Sequence, residues 1–99
     1  RTDSVRLARE GAGLLGWDGP IPEAVLAAAD EYVGRGYGVP TPASDEALTL
    51  AARTEGLVLD PVYSAKAAAG MIDWLRRGSV PASDRVVFLH TGGHPALLA

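Results

Sequence analysis

The spacing of apolar and polar positions predicts helices that alternate with short strands in the second half of the chain. Apolar side chains recur with helical spacing in a segment that Ser44 is expected to cap and Gly56 to end, and again in residues 67–77. Two short, continuously apolar runs, residues 57–59 and 86–89, are typical of buried strands. Because helices and strands alternate, we expect an α/β fold in which a parallel sheet has flanking helices on both faces.

The first half of the chain gives a weaker pattern. Asp3 or Ser4 is expected to cap a first helix. Residues 25–33 fit a helix because of their alanines, but they also fit an extended segment because they run into glycines. The stretch "GYGVPTPAS" at 36–44 is typical of a loop. At the other end of the chain, Pro95 is expected near the start of a last helix.

The composition narrows the range of partners. The 99 residues carry a formal net charge of −3 and no basic stripe, so nucleic acid is not an expected partner. Since no apolar run is long enough to cross a bilayer, we expect no membrane partner either. The chain contains no cysteine, which excludes disulfides and thiolate chemistry within this stretch and fits a cytoplasmic protein.

Polar residues follow both expected strands. Residues 60–64, "DPVYS", come after the first strand, and residues 90–93, "HTGG", come after the second. In parallel sheets a ligand binds beyond the carboxyl ends of the strands, so these two segments are the candidate site. Asp60 itself is expected to form the turn rather than to act as a base. The two glycines fit a phosphate cradle, a close approach to a flat ligand, or a plain strand-to-helix turn.

Several individual side chains could take part in chemistry, and each of them also has an ordinary structural explanation. Lys66, the only lysine, would be a nucleophile for Schiff-base formation if it were desolvated, and otherwise a structural or solvated ammonium. Tyr37 and Tyr63 are candidate acid–base phenols or simply packing residues. His90 and His94 are two residues without a third partner at a fitting spacing, so no metal site is expected.

Three motifs are similar to those of a known family. "GYGVP", "ARTEGLVLDPVYSAKAAAGMIDWLRRG" and "VVFLHTGGHPALLA" resemble the C-terminal third of D-cysteine desulfhydrases and 1-aminocyclopropane-1-carboxylate deaminases, over residues 30–99. Both are tryptophan-synthase-β-like, fold type II enzymes that use pyridoxal 5'-phosphate. The resemblance implies that residues 1–99 are the C-terminal portion of a large three-layer α/β/α domain. It also implies that the cofactor-binding lysine and the phosphate loop lie upstream, so the 99 residues alone are expected to be inactive.

The resemblance implies a role for each matching residue. Thr91 would face the pyridine nitrogen of the cofactor, and Gly92 and Ser64 would be further cofactor contacts. Tyr37 and Tyr63 would flank the substrate, with Tyr63 as the acid–base phenol. The remainder of its own chain, a small amino acid and a second copy in a homodimer are the implied partners.

Two positions bear on the substrate. Deaminases resemble "DPVYEGK" with an acidic residue after the tyrosine and "HLGG" without the hydroxyl, whereas this chain has Ser64 and Thr91 at these two positions; Ala65 replaces a glycine that is usual in both families. We therefore expect a D-cysteine desulfhydrase, which forms pyruvate, ammonia and sulfide. The alternatives are a 1-aminocyclopropane-1-carboxylate deaminase and a truncated, non-catalytic remnant that acts as an interaction module.

Overall fold

The computed structural model describes residues 2–93, 95 and 98. His94 and most of the helix expected near Pro95 lie outside the described residues. Within them the elements are three α-helices and one short 3-10 helix. Their bounds are α1, Thr2–Leu14; the 3-10 helix, Glu23–Val25; α2, Pro42–Glu55; and α3, Ser64–Arg76.

Helix α2 begins earlier than the sequence predicts, and Thr41 rather than Ser44 is its N-cap. The Thr41 hydroxyl accepts a hydrogen bond from the Ser44 backbone N–H at 3.0 Å, and the Ser44 hydroxyl accepts one from the Thr41 N–H at 2.9 Å. This reciprocal capping box satisfies two N–H groups at the start of the helix. Pro42 occupies the first turn, where its missing N–H costs nothing. Gly56 ends the helix in the left-handed conformation (φ 65°), as expected.

Helix α3 also begins earlier than predicted, at Ser64 instead of Ala67. The turn before it supplies acceptors for the first backbone N–H groups, so the helix starts directly after Tyr63. It ends at Arg76, one residue before the predicted end, and Gly78 follows in a left-handed conformation (φ 73°).

The core is small and consists mainly of alanines where α2 packs against α3. Its buried members are Ala47, Leu59, Ala65, Ala68 and Ala69. Small side chains let the two helices approach closely, but each buries little apolar area, so the free energy gained per residue is modest. An exposed ion pair between Arg76 and Glu46, 2.6 Å apart, also joins the two helices.

The expected parallel sheet is not confirmed, because no strand occurs among residues 2–93. Residues 57–59 and 86–89 are non-helical and non-strand, and Val87 and Leu89 are 91% and 79% exposed. A strand requires a neighbour that accepts and donates backbone hydrogen bonds along its length. The apolar runs are present, but the described part of the chain does not provide the ladder that would make them strands.

The elements predicted for the first half of the chain are confirmed only in part. Helix α1 confirms the expected first helix, but Asp3 and Ser4 lie inside it rather than at its cap. After the 3-10 helix, residues 26–30 are irregular, so the helical alternative for residues 25–33 is wrong beyond Val25. Over the described ranges, none of the helices has the length and apolar character needed to span a bilayer.

An apolar groove of about 870 Å³ runs along one face of α3. The groove is bounded by the preceding loop and by the segment that follows α3, and it reaches the two tyrosines of the candidate site. Its lining from α3 includes Ala67, Gly70, Met71 and Trp74.

Candidate functional site

The turn before α3 is organised around the carboxylate of Asp60. Its Oδ1 accepts hydrogen bonds from the backbone N–H groups of Val62 (2.9 Å) and Tyr63 (2.7 Å). Its Oδ2 accepts from the N–H of Ser64 (3.0 Å) and from the Ser64 hydroxyl (2.7 Å). A carboxylate at a helix N-terminus also interacts favourably with the helix dipole. Asp60 is therefore a turn former, as the sequence indicates, and it places Tyr63 at the start of α3.

These contacts change the acidity of Asp60. Partial burial acts to raise the pKa of its carboxyl group, but the four hydrogen bonds outweigh burial and lower the pKa from its ordinary value of 3.8 to about 2. Because the pKa is lower in the folded protein, the stabilisation by Asp60 is complete above about pH 4. It is lost as the pH falls through about 2.

We expect Asp60→Asn to destabilise the complete protein by about 1–2 kcal/mol at pH 7, since the shift is worth at most about 2.4 kcal/mol and solvent reduces it. Urea denaturation at pH 7 and pH 2.5 measures this effect. The difference between wild type and variant should shrink at the lower pH, where the Asp60 carboxylate is partly protonated. The control is Asp84→Asn, which removes an exposed carboxylate from another turn. Equal losses in the two variants would contradict the role of Asp60.

Tyr37 and Tyr63 meet at the start of α3. Their hydroxyl oxygens are 2.8 Å apart and either can be the donor, while their rings pack edge to face with centroids 5.8 Å apart. The hydrogen bond between Tyr63 and Tyr37, together with some desolvation, raises the pKa of Tyr63 above its ordinary value of 10. Both side chains are exposed, at 78% and 61%, so the pair faces outward and can reach a ligand.

Lys66 lies one turn into α3 and is nearly buried, with 8% of its surface exposed. Its ammonium group donates hydrogen bonds to the carbonyl oxygens of Val33 (2.6 Å) and Gly36 (3.1 Å). Lys66 is therefore a structural ammonium that joins α3 to the loop carrying Tyr37. The sequence contains no signal for this contact, because main-chain carbonyls can be provided by any residue.

The "HTGG" segment lies beside residues 58–64. The Nε2 atom of His90 is 2.9 Å from the carbonyl oxygen of Val58, so it carries the proton and donates, while Nδ1 accepts from the Gly92 N–H at 3.1 Å. This ring is a neutral imidazole with both nitrogens engaged, and it holds the two segments together. Gly93 is buried and packs against the backbone of Val58, where a Cβ would collide with the Val58 carbonyl.

The remaining expected site residues, Ser64, Thr91 and Gly92, lie in these same two segments. Thr91 and Gly92 are exposed. Ser64 is buried; its hydroxyl bonds to Asp60 and lies 3.4 Å from the carbonyl oxygen of Gly92. The structure thus brings the ends of the two apolar runs together. The contact of Ser64 with a cofactor stays a prediction.

Known proteins are similar to this chain over nearly its whole length. The profile of a family described as "Pyridoxal-phosphate dependent enzyme" matches residues 3–92. The 1-aminocyclopropane-1-carboxylate deaminase of Burkholderia ambifaria is 44% identical over 94 residues, which are 95% of this chain and 28% of that protein. The deaminase of Ralstonia nicotianae is 41% identical over 99 residues, 100% of this chain and 29% of that protein.

This chain spans less than a third of the length of those relatives. The family match nevertheless extends from α1 to Gly92. With a family profile over nearly the whole chain and relatives above 40% identity, the chain belongs to the pyridoxal-phosphate dependent enzymes.

Proposed function

We propose that this chain contributes the ring-nitrogen side and the substrate side of the active site in a lyase that releases ammonia from a small amino acid. The observation that carries the proposal is the hydrogen-bonded pair of exposed phenols, Tyr37 and Tyr63, next to Ser64, whose hydroxyl lies 3.4 Å from the carbonyl oxygen of Gly92. Two phenols that share a proton beside an open apolar groove suit proton transfer to or from a bound substrate.

Some of the polar groups in these two segments suit pyridoxal phosphate and others do not. Thr91 presents an exposed hydroxyl after residues 85–90, and the neighbouring Gly92 leaves room for a flat ring. Asp60 does not suit the ring nitrogen, because four hydrogen bonds within its own turn already occupy its carboxylate. Lys66 is likewise engaged with two carbonyls and does not suit attachment of the cofactor.

When bound, the cofactor supplies an electron sink for the substrate. Thr91 would hydrogen-bond to the pyridine nitrogen, and because a hydroxyl is neutral it would not keep that nitrogen protonated. Tyr63, whose phenol is protonated near neutral pH, would donate a proton from Oη to the substrate atom released by bond breaking, a ring carbon in the cyclopropane amino acid or the sulfur in D-cysteine. Tyr37 would orient the Tyr63 hydroxyl by donating a hydrogen bond to its oxygen.

The relatives favour 1-aminocyclopropane-1-carboxylate, the alternative substrate, over D-cysteine. Those with the cited identities are named 1-aminocyclopropane-1-carboxylate deaminases, so ring opening of this amino acid to a four-carbon 2-oxo acid and ammonia is our first candidate reaction. The second candidate is elimination from D-cysteine. It is supported by Ser64 and Thr91, which differ from the acidic residue and the leucine of the deaminase motif.

The experiment is a comparison of both substrates with the complete, cofactor-loaded enzyme. Turnover of the cyclopropane amino acid should yield the 2-oxo acid and ammonia in equal amounts. D-Cysteine would yield pyruvate, ammonia and sulfide. A kcat/KM more than about tenfold higher for D-cysteine would establish the second candidate. If the loaded protein turns over neither substrate, the proposal is wrong and the non-catalytic module is favoured.

A further inference from the structure

We propose that Lys66 is a positioning residue that holds Tyr37 against Tyr63, and so assembles the reacting phenol pair from two separate parts of the chain. The proposal rests on the proposed function, because it assigns Lys66 a role in the reaction through Tyr37. Lys66 touches neither phenolic oxygen in the described contacts. It acts on the backbone that carries one of them.

Two residues at the start of α3, Tyr63 and Lys66, both contact the loop that carries Tyr37. Tyr63 lies directly before α3 and Lys66 lies three residues later, so one rigid helix start carries both. The Lys66 ammonium binds the carbonyl oxygen of Gly36, which is part of the peptide bond to Tyr37. Tyr37 then returns to Tyr63 through the 2.8 Å hydroxyl contact. Because Lys66 fixes the position of the peptide bond before Tyr37, it also fixes the position of the backbone from which the Tyr37 side chain extends.

The loop needs such an external restraint. Gly36 and Gly38 flank Tyr37 and adopt positive φ values of 152° and 72°. Glycine at these angles is unstrained, but it also has more conformational freedom to lose than any other residue. A tyrosine between two such glycines, with 78% of its surface exposed, has little packing of its own to hold it.

Burial of the ammonium supports a role beyond packing. A buried cation loses its hydration and is tolerated only where other polar groups replace the water. For Lys66 the replacement is two main-chain carbonyls of one loop, and none of the ion pairs in the described part of the chain includes it. An apolar side chain would fill the space without this cost. What it would not do is hold two carbonyls of a glycine-rich loop at a set distance from α3.

A second anchor on the same loop provides a matched control. The Tyr32 hydroxyl donates to Asp73 on α3 at 2.6 Å, and the Tyr32 ring packs over Gly70. Tyr32→Phe removes one hydrogen bond between the loop and α3, whereas Lys66→Met removes two, and Tyr32→Phe leaves the carbonyl beside Tyr37 untouched. A general loosening of the loop would affect both variants, whereas a specific effect on Tyr37 would appear with Lys66 alone.

The test is a double-mutant cycle in the complete, cofactor-loaded enzyme with Lys66→Met and Tyr37→Phe. We expect Lys66→Met to lower kcat about tenfold in the wild-type background and less than about twofold when Tyr37 is already Phe, since residues that act through one another are not additive. Tyr32→Phe should lower kcat less than about twofold. Lys66→Arg, which retains a cation and so protects the fold, should give an intermediate loss with the same dependence on Tyr37.

A crystal structure of the Lys66 variant supplies a readout that does not depend on activity. The distance between the Tyr37 and Tyr63 hydroxyl oxygens should exceed 3.5 Å, the limit for a hydrogen bond. Multiplicative effects in the cycle, or an unchanged distance, would overturn the role of Lys66. If instead Tyr63→Phe leaves turnover unchanged, the proposed function fails, whatever the Lys66 variants show about the distance.

Discussion

Tyr63→Phe is expected to lower the turnover number of the complete enzyme by about 10²- to 10⁴-fold, the usual contribution of a positioned acid–base group. The change removes one oxygen and keeps the ring, so the edge-to-face contact with Tyr37 should persist. The cofactor should stay bound with a nearly normal absorption spectrum, because the resemblance assigns its attachment to a lysine outside this chain. Steady-state kinetics and the absorption spectrum measure the two effects.

Tyr32→Phe is the matched control, because it removes a phenolic hydroxyl that bonds to Asp73 on α3 and takes no part in the contact between Tyr37 and Tyr63. Comparable losses of turnover in the two variants would mean that the Tyr63 hydroxyl has no special role. A loss of less than about threefold in Tyr63→Phe would remove Tyr63 as the proton donor and leave the phenol pair as a structural contact.

Thr91→Leu is expected to change the absorption spectrum of the bound cofactor and to lower turnover by about one to two decades. Leucine lacks the hydroxyl, and its side chain is larger than that of threonine by one heavy atom. The variant therefore loses a hydrogen bond to a group on which charge develops, which typically costs about 1.5–3 kcal/mol. The effect should be smaller than that of Tyr63→Phe, and the two variants should differ in the spectrum. Absorption spectra and kcat of both proteins, measured with the better of the two substrates, check this.

Thr91→Ser retains the hydroxyl and should keep both the spectrum and most of the turnover. If Thr91→Leu changes neither quantity, Thr91 does not face the ring nitrogen. The "HTGG" segment would then be no more than the turn that joins to residues 58–64 through His90.

The local sequence determines the three helices and several of their ends. Helical spacing of apolar residues locates all three, and Gly56 ends α2 because it adopts the left-handed conformation without strain. The predicted starts were less accurate. Thr41 and Asp60 satisfy the first N–H groups of α2 and α3 from positions outside the apolar pattern. A capping side chain works through geometry at the turn, which periodicity does not contain.

The two segments expected at strand ends do contact each other in the described structure, His90 with Val58 and Ser64 with Gly92, while their role as a site stays a prediction. The parallel sheet itself was not confirmed over residues 2–93. The runs at 57–59 and 86–89 are apolar enough to be strands, but a strand also needs at least one neighbouring strand with which to exchange backbone hydrogen bonds. Whether such a run becomes a strand depends on chain segments distant from it, which its own composition does not specify.

The sequence by itself indicated the family, which comparison with known proteins confirmed, and it named Tyr37, Tyr63 and Thr91 as candidates. Only the tertiary structure decided which of them meet. Tyr37 and Tyr63 are 26 residues apart, and their hydroxyls come within 2.8 Å because α3 and a glycine-rich loop are held together. It also decided that Lys66 binds two carbonyls. Backbone acceptors are the same in every residue, so their positions are set by the fold and cannot be read from side-chain identity.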